Sequence, residues 1–296
     1  MTKPSGIAAG RPVPRVPASA YFGVSAIFHY LGPALAVLLF ARVDVVGVAW
    51  LRIASAAVVF AVWRRPWRLV GRLTPEQRRV LLGLGVLLAA MNAAFYLALA
   101  RLPLATVGAI EFSGIIVLAA IGMRNGRNVI ALVLAVAGVV ALTSIQFAGQ
   151  ALGFAFAVVD CALFMLYVVL GHRIANTGPG ISGIDQIGVA MLIGAMASTP
   201  FCFGAAVPAF TSPASLLAGV GVGICSSVIP YVTDQLAMAR LRRSTFALML
   251  SILPAVATVI GVVVLTQIPT LRELTGIALI ACGVSIHQEP QHNKEK

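Results

Sequence analysis

The sequence predicts an all-α integral membrane protein: ten transmembrane helices forming two inverted five-helix repeats, with N-terminus and C-terminus both on the cytoplasmic side. Three observations predict it. First, 60% of the residues are hydrophobic and 10% are charged, with a mean hydropathy of +0.99. A soluble domain carries roughly 25% charged residues, so this chain has too little polar surface to face water. Second, the apolar residues gather into runs of about 20, the length that crosses the hydrocarbon core as a helix. They lack the period-2 alternation of a membrane barrel. Third, Lys and Arg are distributed very unequally between alternate connections, seventeen against three, which fixes orientation by the positive-inside rule.

Residues 1–17 hold Lys3, Arg11, Arg15 and four prolines and read as a disordered basic cytoplasmic tail. The run at 18–40 exceeds the roughly 7–15 residues of a signal-peptide core, so it stays as the first helix. Nine more runs follow at 45–63, 80–100, 104–123, 129–147, 152–170, 184–206, 214–238, 245–265 and 271–286. Several starts carry capping signals. Thr74-Pro75-Glu76-Gln77 places Thr at the N-cap, Pro next and Gln at the third position, and Ser212-Pro213 repeats the start. Ser182 with Asp185, and Thr270 with Glu273, have capping-box spacing. Asp44 and Glu76 also stand at helix starts, while Glu289 and Glu295 lie in the C-terminal tail.

Residues 91–114 and 231–254 are related strings. Ala100-Arg101-Leu102 recurs as Ala239-Arg240-Leu241, and Thr106 recurs as Thr245 at the same offset. Two halves of five helices each must point in opposite directions, because five is odd. The charges agree: the Arg101 turn is outside and its counterpart carries Arg240, Arg242 and Arg243 inside. The connection between helices 2 and 3 has six arginines, and its counterpart between helices 7 and 8 has none. Matching segments of opposite charge bias mark an inverted-topology repeat. The division is a first repeat at 18–147, a second at 150–287 and a cytoplasmic tail at 288–296.

The net charge of +12 follows from the cytoplasmic loops, so no nucleic acid is expected as a partner. The four cysteines, Cys161, Cys202, Cys225 and Cys282, lie in apolar runs without paired spacing. They read as small buried residues, and neither a disulfide framework nor a metal site is expected. No cofactor is expected either.

Ionisable residues at membrane depth are costly and are functional candidates by default. Glu111, Asp160 and Asp234 are the acids left after capping and tail positions are removed. Arg52 and Glu111 each lie about seven residues into their helices from the outer side, roughly 10 Å deep. They could form an ion pair that locks two helices, or Glu111 could line a pathway and hold an ammonium group or a proton. Asp160 shares a helix face with Phe164 and Tyr167, and either lines a cavity or makes a helix–helix contact. Asp234 is placed to reach headgroups or to pair with Arg240 or Arg243. His29 is a helix–helix hydrogen bonder or a proton carrier. Asn92 and Tyr96, one turn apart, face the same way and either pack or hydrogen-bond a substrate. Gly219, Gly221 and Gly223 lack the context of a phosphate loop and read as close helix packing. Pro230 and Pro254 interrupt helices, as kinks or as breaks that free carbonyls toward a cavity.

The chain resembles the drug/metabolite transporter superfamily, and within it the EamA-type threonine/homoserine exporters. The likeness rests on Leu51-Arg52-Ile53, Pro66-Trp67-Arg68-Leu69, Met91-Asn92 with Phe95-Tyr96-Leu97, Ile110-Glu111-Phe112 with Gly114, Gly171-His172-Arg173, and Ile229-Pro230-Tyr231 through Arg240-Leu241 to Thr245-Phe246. The resemblance implies ten helices around a central cavity and export of small metabolites. It puts Asn92, Tyr96, Glu111, Tyr231 and Asp234 on family positions. Three positions depart from the family pattern: Ile115 follows Gly114 in place of Pro, Leu253 precedes Pro254 in place of Glu, and Gln267 stands where many members have Glu.

The expected function is a secondary active transporter exporting amino acids of the threonine and homoserine kind by alternating access, in a bacterial inner membrane. The candidate substrate-binding residues are His29, Asn92, Tyr96, Glu111, Asp160, Tyr167 and Tyr231. The expected partners are a small-molecule substrate, the lipid bilayer, protons as coupling ion and a second copy of the chain in a homodimer. The alternative is a drug or cationic-metabolite exporter of the same superfamily. An intramembrane enzyme is the remote alternative, since no HExxH, paired-Asp or Ser-His constellation is present.

Overall fold

The computed structural model describes residues 17–71, 73–122, 126–143, 147–175, 182–238 and 253–286, and no strand occurs among them. The helices are α1 (Ala18–Leu39), α2 (Val45–Arg64), a short α3 (Trp67–Val70), α4 (Pro75–Leu99), α5 (Leu104–Gly122), α6 (Gly126–Thr143), α7 (Phe147–Ala175) and α8 (Gly183–Phe210). There follow α9 (Pro213–Gly223), a π turn (Ile224–Val228), α10 (Ile229–Met238), α11 (Leu253–Leu265) and α12 (Leu271–Ile286).

Against the expected ten spans, six described segments are long and apolar enough to cross a membrane. They are Ala20–Leu39, Val45–Arg64, Pro75–Leu99, Gln150–Tyr167, Gly183–Phe210 and Pro213–Asp234; Gly126–Ala141 and Leu253–Leu265 are shorter apolar helices. The protein is thus a multi-pass membrane protein. Its outward apolar side chains fit that surface: Val62 is 75% exposed and Phe201 is 86% exposed. Residues 239–252, with the second copy of the Arg101 string, Arg240 and Arg243, lie outside the described residues, as do residues 1–16, Arg72, Arg124 and residues 287–296.

The capping signals explain most helix starts. Asp44 accepts a hydrogen bond from Val46 N at 3.0 Å. Thr74 and Gln77 form the reciprocal capping box, which starts α4 at Pro75 rather than at residue 80. Ser212 accepts from Ser215 N at 3.4 Å, and Thr270 N donates to Glu273 Oε2 at 2.7 Å. The Ser182–Asp185 box is not made: Ser182 gives no side-chain cap. Asp185 Oδ1 instead accepts from Arg64 Nε at 2.6 Å, because the guanidinium at the end of α2 outcompetes a backbone N–H for the carboxylate.

Small residues let the helices approach closely, as expected where packing rather than the hydrophobic effect drives association. Gly47 of α2 faces the Ala205 carbonyl of α8, and Gly85 of α4 meets Gly194 of α8. Gly219 and Gly223 abut Leu51 and Arg52 of α2, whereas Gly221 faces open space. A Cβ on Gly223 would lie 2.7 Å from the Arg52 carbonyl oxygen. The four-residue spacing therefore serves helix packing. Cysteine burial is less uniform than expected: Cys161 is buried, Cys202 and Cys225 are half-buried and Cys282 is exposed.

Neighbour relations set the site. α2 packs along α8, and α6 packs along α12. α4 packs on α2, α7 and α8, while the α9–α10 rod packs on α8, α1 and α2. α5 contacts α6, α7 and α11; α11 contacts α12, α1 and α5. Gln150 leaves helical geometry inside α7, at φ −129° and ψ 15°. Gln267, one of the departures from the family pattern, plays a structural part. Its Oε1 accepts from Leu104 N at 3.0 Å and caps the start of α5.

Candidate functional site

Pro230 starts the local chemistry. It has no N–H to donate to the carbonyl four residues back, which is that of Ser226. The helix widens there into the π turn, with Ile229 N–H reaching Ile224 O. Such turns frequently mark functional sites. The Ser226 carbonyl is taken by a charge: Arg52 Nη2 of α2 donates to it at 3.0 Å. Arg52 Nε donates to Ser227 Oγ at 3.0 Å, and the guanidinium carbon lies 5.4 Å from the Tyr96 ring centroid. Arg52 is thus 6% exposed and pinned to the π turn.

Of the two roles open to Arg52 and Glu111, the ion pair is not formed. Among the described residues the ion pair within 4.0 Å is Arg64–Asp185. The carbonyl freed by Pro230 and the Ser227 hydroxyl hold the Arg52 fork instead, and its charge acts on Glu111 and Asp160 through space.

Around that charge lies a group of buried polar atoms with no hydrogen-bond partner. They are Tyr30 Oη, both side-chain polar atoms of Asn92, Tyr96 Oη, Glu111 Oε2, both Asp160 carboxylate oxygens and Ser226 Oγ. Tyr96 Oη lies beside Ser226 and Arg52 without hydrogen-bond alignment to either. Tyr30, Tyr96 and Asp160 are 0% exposed, Asn92 is 2% and Glu111 is 4%. Buried polar groups are nearly always paired, because leaving one unpaired costs on the order of 1–3 kcal/mol. So many together are the signature of a place where water or a ligand completes the bonding.

The residues named from the sequence mostly converge. Tyr96 of α4 lies beside Arg52, with Asn92 one turn before it on the same helix, and Glu111 of α5 and Asp160 of α7 lie within electrostatic reach of Arg52, Tyr30 and Tyr231. Aromatic rings wall the group. Phe112 and Phe164 pack 5.5 Å apart, Phe164 and Tyr167 6.0 Å, and Tyr167 and Tyr231 6.2 Å. Tyr167 thus forms wall beside Tyr231. His29 is half-buried, its ring 5.4 Å from Tyr30 and 6.1 Å from Phe112. Asp234 turns toward Ser25 of α1; its expected partners Arg240 and Arg243 lie outside the described residues, as do the side chains of His172 and Arg173. Among the described residues no three His, Cys, Asp or Glu side chains are grouped to hold a metal ion.

Sequence reasoning missed Tyr30, Ser226 and Ser227. The available signal was the Ser-Ser pair placed three and four residues before Pro230.

A family model, the EamA-like transporter family, matches residues 151–287. The chain is 32% identical over 277 residues to the threonine/homoserine exporter RhtA of Salmonella typhimurium, covering 88% of this chain and 89% of that protein. It is 33% identical over 262 residues to RhtA of Escherichia coli strain K12, covering 86% and 84% respectively. A solved crystal structure shares the fold at a TM-score of 0.60 and 20% identity, over 90% of this chain and 96% of that one.

Proposed function

The chain belongs to the EamA-like transporter family, and from that membership we propose that it exports small amino acids of the threonine and homoserine kind across a bacterial inner membrane. The buried cluster of unpaired polar atoms between α1, α2, α4, α5, α7 and the π turn carries this reading. It offers carboxylates for an ammonium group, together with hydroxyls and an amide for the substrate's other polar atoms.

The mechanism proposed is alternating access between two inverted halves of five spans, 18–147 and 150–287, with both termini cytoplasmic. The neighbour relations support it. Exchange α1 with α7, α2 with α8, α4 with the α9–α10 rod, α5 with α11 and α6 with α12. The pairs α2–α8, α5–α11 and α6–α12 then map onto themselves. The α4–α7 packing maps onto α1 with the rod, and α5–α7 maps onto α1–α11. The family match over 151–287 supports the division too, since it covers one half alone. The cluster draws its polar groups from both halves, where an alternating-access site belongs. With no nucleotide loop in the sequence, an ion gradient would drive export. Protons are the proposed coupling ion, with Glu111 or Asp160 as carrier. A homodimer is the proposed assembly.

Counterflow in proteoliposomes tests the function. Vesicles preloaded with unlabelled homoserine are expected to accumulate labelled homoserine or threonine transiently, above protein-free vesicles. No accumulation with any amino acid, with or without a pH gradient, would refute the proposal.

A further inference from the structure

Resting on the exporter reading above, we propose that Asp160 is a specificity-determining residue. With Glu111 it forms a two-carboxylate seat that favours amino acids carrying a second amine over their hydroxyl counterparts.

Asp160 is 0% exposed and neither carboxylate oxygen has a partner. A helix–helix contact, the other role open to it from the sequence, would have supplied one. Glu111 faces it from α5. One turn beyond Glu111, Gly114 lies against Cys161, the residue next to Asp160, with a built Cβ 2.7 Å from the Cys161 sulfur. The two carboxylates therefore occupy facing turns of α5 and α7, and their charges act on each other.

The only cation of the described residues shown acting on both is Arg52, whose Nε and Nη2 are already committed to Ser227 and Ser226. The other groups facing Asp160 are Tyr30 from α1, Tyr231 from α10 and Cys161 on its own helix. None of these supplies positive charge. With both carboxylates ionised, the state that an ammonium group seated between them favours, the one guanidinium leaves a single negative charge. A zwitterionic amino acid does not offset it; a diamino acid of net charge +1 does. The hydrogen bonding agrees with the charge. Three carboxylate oxygens lack donors, and each ammonium group carries three N–H donors, whereas a hydroxyl carries one. A lipophilic quaternary cation supplies charge but no donors, and would leave those oxygens unpaired.

Homoserine and 2,4-diaminobutyrate test the assignment, since they differ by a hydroxyl against an ammonium on the same carbon chain. Binding of each, and of tetraphenylphosphonium, is measured on the purified full chain in nanodiscs by competition with labelled homoserine. The wild type is expected to bind 2,4-diaminobutyrate about tenfold more tightly than homoserine, the scale of one charge-assisted hydrogen bond. Asp160→Asn is expected to reduce that preference about tenfold, Asp160→Glu to keep it, and Glu111→Gln to weaken both amino acids. Asp160→Ser serves if Asp160→Asn fails to fold. A wild type that prefers homoserine or tetraphenylphosphonium would overturn the assignment, as would a neutral variant with an unchanged ratio. If the wild type binds neither amino acid, the exporter reading fails and this assignment falls with it. Homoserine binding with an unmoved ratio would overturn the assignment alone.

Discussion

Replacing Arg52 with methionine is expected to be the most damaging single change in the chain. The side chain would keep its apolar stem but lose three attachments at once. Ser226 O would lose the donor that stands in for the N–H missing at Pro230, Ser227 Oγ would lose its 3.0 Å partner, and Tyr96 would lose its cation. Glu111 and Asp160 would also lose the positive charge that acts on both. Leaving a buried charge uncompensated typically costs about 3–5 kcal/mol. Arg52→Met is therefore expected to lower the thermal midpoint in detergent by several degrees and to abolish transport. Adding Glu111→Gln should restore part of the stability, because it removes one uncompensated charge, but none of the transport. If Arg52→Met melted and transported like the wild type, Arg52 would not be the counter-charge described above.

Glu111→Gln alone is expected to separate binding from folding. The substitution keeps shape and volume and removes the negative charge of a residue that is 4% exposed with Oε2 unpartnered. A hydrogen bond to a charged group is worth about 1.5–3 kcal/mol, so homoserine binding should weaken roughly tenfold to a hundredfold. The melting temperature should stay level or rise, since an amide costs less to bury than a carboxylate. Retained affinity in a folded Glu111→Gln protein would remove Glu111 from the site.

These expectations come from packing that the sequence disclosed only in part. Helix positions were legible because apolar runs of spanning length and caps such as Thr74 with Gln77 are local signals. The acids at membrane depth were legible because burying Glu111 and Asp160 is costly without a reason. What failed were choices among partners. Asp185 had capping-box spacing, yet Arg64, distant in sequence, lay nearer in space and took it. Arg52 and Glu111 sat at similar depth, but depth does not fix rotation about the helix axis. Pro230 freed a carbonyl facing Arg52 and settled the orientation of the guanidinium. Tyr30 gave no signal because a tyrosine in an apolar run reads as packing until its hydroxyl is seen to lack a partner.

Thiol accessibility at Asn92 tests most directly whether the unpaired atoms mark a hydrated substrate site. Asn92 is 2% exposed and neither side-chain polar atom has a partner. With Cys161, Cys202, Cys225 and Cys282 replaced by alanine, Asn92→Cys should react with a small charged methanethiosulfonate, and homoserine or 2,4-diaminobutyrate should slow the reaction. A cysteine there that never reacts, or reacts at a rate no amino acid changes, would mean that the cluster is closed core and not a binding site.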